Sequence, residues 1–117
     1  MILHILRRAD WESALARGTY APASLAAEGF IHCSTTPQIV GTANRFYRGQ
    51  RGLIILCIEE SRLEADLKYE PPMPALDDTA DGLFPHLYGP LNLDAVARVI
   101  DFPAGADGTF ELPATLR

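Results

Sequence analysis

The run Leu53-Ile54-Ile55-Leu56-Cys57-Ile58 constrains this chain more than any other segment. Its apolar residues do not alternate with polar ones and span the length of a strand. A strand with no polar face is buried on both sides, so this one belongs at the centre of a sheet. It is far too short to cross a bilayer, and no membrane partner is expected. Before it, Met1 to Leu6 forms a short apolar strand bounded by Arg7-Arg8. Asp10 is placed to cap a helix over Trp11 to Arg17, with Trp11, Ala14 and Leu15 on one face and Gly18 as a left-handed stop. Pro22 to Glu28 gives a second short helix ended by Gly29, and Phe30 to Thr35 the second strand. Thr36-Pro37 supplies an N-cap and a first-turn proline for a third helix through Ile39, Val40, Ala43, Phe46 and Tyr47, closed by Gly49 to Gly52.

After the central run the pattern changes. Ser61 to Ala65 holds one helical turn, and Leu67 to Glu70 is a strand cut off by Pro71-Pro72. Pro71 to Gly82, with Asp77, Asp78 and Asp81, is one long loop of the kind that often carries function. Leu83 to Tyr88 is a strand whose Pro85 predicts an edge or a bulge. Gly89-Pro90 turns the chain into a short helical turn at Leu91 to Ala95, a strand at Val96 to Phe102 and a last strand at Thr109 to Leu112. Helices concentrate in the N-terminal half and strands in the C-terminal half. That segregation predicts an α+β fold rather than a doubly wound one.

The 117 residues make one domain, 1–117, large enough to bury roughly two thirds of its unfolded surface. The net charge is −5, and the basic residues gather only at Arg7-Arg8 and Arg45, Arg48 and Arg51. Binding along a phosphate backbone needs more cationic contacts than this, so no nucleic acid is expected. Cys33 and Cys57 both sit in apolar strands at a spacing that fits no metal or redox motif. They read as buried thiols of a reduced compartment. The N-terminus has neither the charged start nor the long apolar run of a signal peptide, and the expected location is the cytoplasm of a bacterial cell.

The three histidines, His4, His32 and His86, fall in three separate strands. Side chains alternate along a strand, so Phe30, His32 and Ser34 share one face while Ile31, Cys33 and Thr35 share the other. His4 lies with Ile2 and Leu6, and Phe84, His86 and Tyr88 share a face. Each histidine alone reads as a structural group bonded to backbone or hydroxyl. Three histidines and a water would also make a catalytic zinc site, but no pair has short ligand spacing and no metal is expected. Ser34 beside His32 lacks the turn that activates a serine nucleophile.

Gly29-Phe30-Ile31-His32-Cys33-Ser34-Thr35 and Phe84-Pro85-His86-Leu87-Tyr88-Gly89-Pro90-Leu91 resemble the two signature motifs of a small bacterial family, domain of unknown function 952. The resemblance extends to Ala14, Gly18, Tyr20, Ser24-Leu25 and Asp94-Ala95-Val96, and so covers nearly the whole chain. That family resembles the ADP-ribosyltransferase superfamily in fold. The resemblance implies a split, bent pair of sheets with an NAD cleft between them. It implies that His4 positions a ribose and that His32 with Ser34 holds the nicotinamide side. His86 stands where the third strand's catalytic group falls, as hydrogen-bond donor or acid/base, and Tyr88 joins the cleft. The helix from Thr42 through Tyr47 matches the one after the superfamily's second strand.

The third position departs from the superfamily's usual glutamate. A carboxylate there favours the positive charge of an oxocarbenium-like state, and loss of such a group costs roughly a hundredfold or more in rate. Glu28, Glu70 and Asp81 are the candidates for a displaced carboxylate. RNA 2′-phosphotransferases of the superfamily use histidine and arginine instead, and Arg7 or Arg45 would be the matching arginine. The resemblance thus implies an NAD-dependent transferase, or a phosphotransferase-like enzyme, acting on a nucleotide-like ligand. The rival expectation is a non-catalytic module that binds a small ligand or partner on the same fold.

Overall fold

The apolar run becomes the strand around which the molecule is built. The computed structural model describes residues 1–72 and 82–117. Of the loop expected at Pro71 to Gly82, residues 73–81 lie outside the described residues, and Asp77, Asp78 and Asp81 with them. The strands are β1 (Ile2–Arg7), β2 (Thr19–Tyr20), β3 (Ile31–His32), β4 (Leu53–Ile58), β5 (Asp66–Glu70), β6 (Phe84–Tyr88), β7 (Leu91–Asn92) and β8 (Val96–Asp101). The helices are α1 (Arg8–Arg17), α2 (Ala23–Glu28) and α3 (Thr36–Phe46). Single 3₁₀ turns follow at Glu60–Arg62, Leu93–Ala95 and Ala114–Leu116. Among the described residues the three α-helices precede β4, and the class is α+β.

β4 is the middle strand of the antiparallel sheet β1-β4-β8, and all six of its residues are buried. Ile54, Leu56 and Ile58 face a core shared with Trp11, Ile31 and Leu87. Ile55 and Cys57 face a second core with Ile39, Phe102 and Phe110. Each such aliphatic contributes about 1.5–3 kcal/mol by leaving water, which is why this strand organises the rest.

A second three-stranded antiparallel sheet runs β3-β6-β5, and β2 pairs with β7. Among the described residues one isolated bridge joins the backbones of the two large sheets, where Leu3 and Ser34 exchange hydrogen bonds of 2.8 Å each. Pro85 accounts for the split. It lies in β6, the central strand, paired in register with Tyr69 of β5, and so at neither the edge nor the bulge that proline predicts. The Cys33 N–H donates to the Pro85 carbonyl at 3.0 Å. The return bond of that pair needs an N–H that proline does not have. The β3–β6 ladder stops there, and the next residue, Ser34, crosses to β1. Proline is tolerated at the centre because its missing donor falls where the strand is leaving.

Other local expectations shift by a residue or fail. Arg7, not Asp10, is the N-cap of α1, and Asp10 sits in the first turn where its carboxylate accepts from the Arg7 side chain at 3.2 Å. Leu15 is 54% exposed, because the face carrying Trp11 and Ala14 is narrow. Thr35, not Thr36, caps α3, in a capping box with Gln38. Gly18 and Gly29 end α1 and α2 at φ of 81° and 87°, as left-handed stops. The strand expected at Thr109–Leu112 does not form. The side chain of Asn44 instead satisfies Phe110, accepting from its N–H at 2.7 Å and donating to its carbonyl at 3.2 Å.

Candidate functional site

Where the sheets part, a cleft of about 540 Å³ opens. Its lining includes His4 and Arg7 of β1, Tyr20 of β2, Glu28 of α2, His32 of β3, Ser34, and His86 of β6. The three histidines therefore come to one cleft, together with Ser34. Tyr88 is not among the lining residues; its hydroxyl is turned to Glu70 on the neighbouring strand. Of the two arginines, Arg7 reaches the lining and Arg45 does not.

The pairing of β3 and β6 sets the first two imidazoles. His32 and His86 are directly opposite, between the hydrogen-bonded pairs Ile31–Leu87 and Cys33–Pro85. Non-hydrogen-bonded pairs bring side chains closer together. The rings meet edge-on with centroids 5.8 Å apart. The same pairing turns the His32 carbonyl away from β6, where it accepts a hydrogen bond from Nδ1 of His4 at 2.6 Å.

That contact decides the chemistry of His4. A carbonyl only accepts, so Nδ1 carries the proton and Nε2 is an acceptor. Nε2 takes the hydroxyl proton of Tyr20 at 2.8 Å. Burial holds His4 well below its ordinary range, at about 4, so the ring is neutral near pH 7. Burial, reinforced by the nearby Asp10 charge, raises the Tyr20 hydroxyl, which stays protonated as the donor. His4 is thus a satisfied structural histidine on the cleft wall, and the hydroxyl oxygen of Tyr20 is the atom it presents.

His32 and His86 each have a carboxylate partner. Nε2 of His32 lies 2.6 Å from Glu28 across the Gly29 turn, and its side chain is 38% exposed. Nδ1 of His86 lies 3.0 Å from Glu70, on a residue only 1% exposed. Glu70 also accepts the Tyr88 hydroxyl; this bond and the His86 bond hold its carboxyl below the usual range. Tyr88 is raised because it donates to that charge, and Lys68 lies 4.8 Å over its ring. Phe30 stacks on His86 with centroids 4.1 Å apart. Ser34 donates to the Thr42 hydroxyl at 3.3 Å, so its partner is a hydroxyl and not a histidine.

Two of the three suggested carboxylates are therefore at the histidines. Glu28 is on the lining, while Glu70 stands behind His86. Among the described residues no three His, Cys, Asp or Glu side chains stand together so as to hold a metal ion. A three-histidine zinc site would need His4 to give up one of its two bonds. Tyr20 belongs to the residues that carry the resemblance, but the sequence gives it no place in the site. The signal for it was the aliphatic surroundings of His4: a buried imidazole between Ile2 and Leu6 needs a polar partner from elsewhere in the fold.

The geometry defines an α+β domain with an aromatic and histidine-lined cleft at the junction of two sheets. The chain belongs to the family described as protein of unknown function (DUF952), whose model matches residues 5–99. It is similar over its length to protein CC0527 of Caulobacter crescentus. The crystal structure of that protein is 39% identical, with a TM-score of 0.84 over 98% of this chain and 96% of that one. Its solution NMR structure gives a TM-score of 0.78 at 39% identity over 95% and 91% of the two chains. No curated protein matches the chain. Among the described residues no helix is long and apolar enough to cross a membrane.

Proposed function

We propose that the cleft is a nucleotide site on an ADP-ribosyltransferase-like fold, with NAD or a related nucleotide as ligand. The observation that carries the reading is the convergence of His4, His32 and His86, from three strands, on one cleft between two sheets that part after a single bridge. The cleft volume of about 540 Å³ suits a small-molecule ligand. His4 acts through Tyr20, whose hydroxyl oxygen keeps a lone pair for a ribose hydroxyl. His32 and Ser34 hold the nicotinamide side. His86 is the acid/base. Glu28, on the lining, is the carboxylate that favours positive charge on the ribose as the glycosidic bond opens. The reaction is transfer of ADP-ribose, with NAD-dependent phosphotransfer as the variant.

One observation favours a non-catalytic binding module instead. Much of the polar wall is already internally paired, His4 to Tyr20, His32 to Glu28 and Ser34 to Thr42. Titration with NAD followed by ligand-detected NMR tests the first reading. The expected result is saturation transfer to NAD that is lost in His32→Ala. No binding at millimolar NAD removes NAD from both readings.

A further inference from the structure

The geometry points to Glu70 as a positioning residue that fixes His86 in its Nδ1–H tautomer and so makes Nε2 the hydrogen-bond acceptor of the cleft. The assignment rests on the reading of this cleft as a ligand site. It concerns a residue that does not line the cleft and whose carboxylate bonds a residue that does, His86.

The proton assignment follows from the acceptors. Oε1 of Glu70 lies at Nδ1 of His86 and also at the Tyr88 hydroxyl. An ionised carboxylate can only accept, so both partners donate, and the proton of a neutral His86 sits on Nδ1. Nε2 is left as a lone-pair nitrogen. Among the described residues it has no hydrogen-bond partner. Yet no side-chain nitrogen or oxygen among them is both fully buried and unpaired. Nε2 is therefore not fully buried, and the residue that carries it lines the cleft. The ring has little freedom to turn away, with Phe30 stacked on one side and the edge-on His32 on another.

A carboxylate on one ring nitrogen sets the tautomer and orientation of an imidazole and makes the other nitrogen more basic. A ligand group that meets Nε2 is consequently a donor, such as a hydroxyl. His4 shows the same tautomer by a different route, but its Nε2 is already occupied by Tyr20. His86 is the buried imidazole whose acceptor nitrogen is still open to a ligand.

Long-range proton–nitrogen spectra of the neutral histidine rings of the full chain test this. The expected wild-type signature is a proton-bearing Nδ1 and a bare Nε2. Tyr88→Phe, which removes the other partner of Glu70 but leaves the carboxylate, keeps that signature. Glu70→Ala loses it, with Nε2–H becoming the major form. A wild-type ring with its proton on Nε2 overturns the assignment without any variant, as does an unchanged tautomer in folded Glu70→Ala. The ligand arm adds NAD to the wild type: binding with a shift of Nε2 supports the acceptor role, and binding that leaves Nε2 unmoved overturns it. The expected tautomer with no NAD binding upholds Glu70 as the residue that sets His86 and defeats the nucleotide reading alone.

Discussion

The two three-stranded sheets have the same antiparallel pattern and opposite uses. In β1-β4-β8 the middle strand is aliphatic save for one thiol, and both of its faces are buried. In β3-β6-β5 the middle strand gives Leu87 to the core and His86 to a polar and aromatic network on its other face. Stability should concentrate in the first sheet and chemistry in the second. The largest test is a cavity in β4. Ile55→Ala should cost about 2–5 kcal/mol in chemical denaturation, the range for a large-to-small change at a fully buried aliphatic. His86→Leu should cost less, because Glu70 and Tyr88 remain paired to each other on a partly exposed edge. A larger loss at His86 than at Ile55 would break the division between the sheets.

Next in size is the pH response of the group that joins them. His4 hangs from β1 and bonds the backbone of β3. Its folded value, about 4, lies below its ordinary 6.5. The unfolded chain therefore takes up a proton that the folded chain refuses, and stability rises with pH across that window. The contribution is fully present above about 6.5 and is lost as pH falls toward 4, with a difference of roughly 3 kcal/mol. Denaturation midpoints at pH 7 and pH 4.5 should separate in the wild type and draw together in His4→Gln. Equal separation in both would remove His4 as the cause. Tyr20→Phe follows, at about 1–3 kcal/mol, since it leaves Nε2 of His4 buried without a donor.

The same contrast explains how far the sequence could be read. β4 was legible because a hydrocarbon run has only one solution, burial on both faces. The glycine stops of α1 and α2 were legible because a left-handed C-cap favours one residue type. The face carrying His32 was legible from alternation alone. Pro85 was misread because the rule about proline concerns a lost donor, and whether that loss matters depends on which neighbour leaves the sheet. Glu70 could be named as a candidate but not attached to His86, because their contact depends on the pairing of β5 with β6 across the segment between them. The bonding of His4 was invisible for the same reason. Tyr20 and the His32 carbonyl come to it from two other strands, and no local pattern encodes that meeting.

The smallest expected effect on stability is also the sharpest test of the second sheet's use. Glu28 and His32 form an i,i+4 pair across Gly29, with both side chains more than a third exposed. Such pairs are worth about 0–1 kcal/mol, because solvent screens the charge and ordering two side chains costs entropy. Glu28→Gln should therefore unfold within about 1 kcal/mol of the wild type. The carboxylate is nonetheless on the cleft wall beside a histidine that faces the same space. If the cleft takes NAD as proposed, removing the charge should change transfer more than binding, because it acts on positive charge that develops only as the bond opens. Denaturation, NAD titration and the rate of nicotinamide release from NAD, measured on the same variant, separate stability, binding and transfer. A variant that loses several kcal/mol would make Glu28 a structural partner of His32 and remove the catalytic role proposed for its carboxylate.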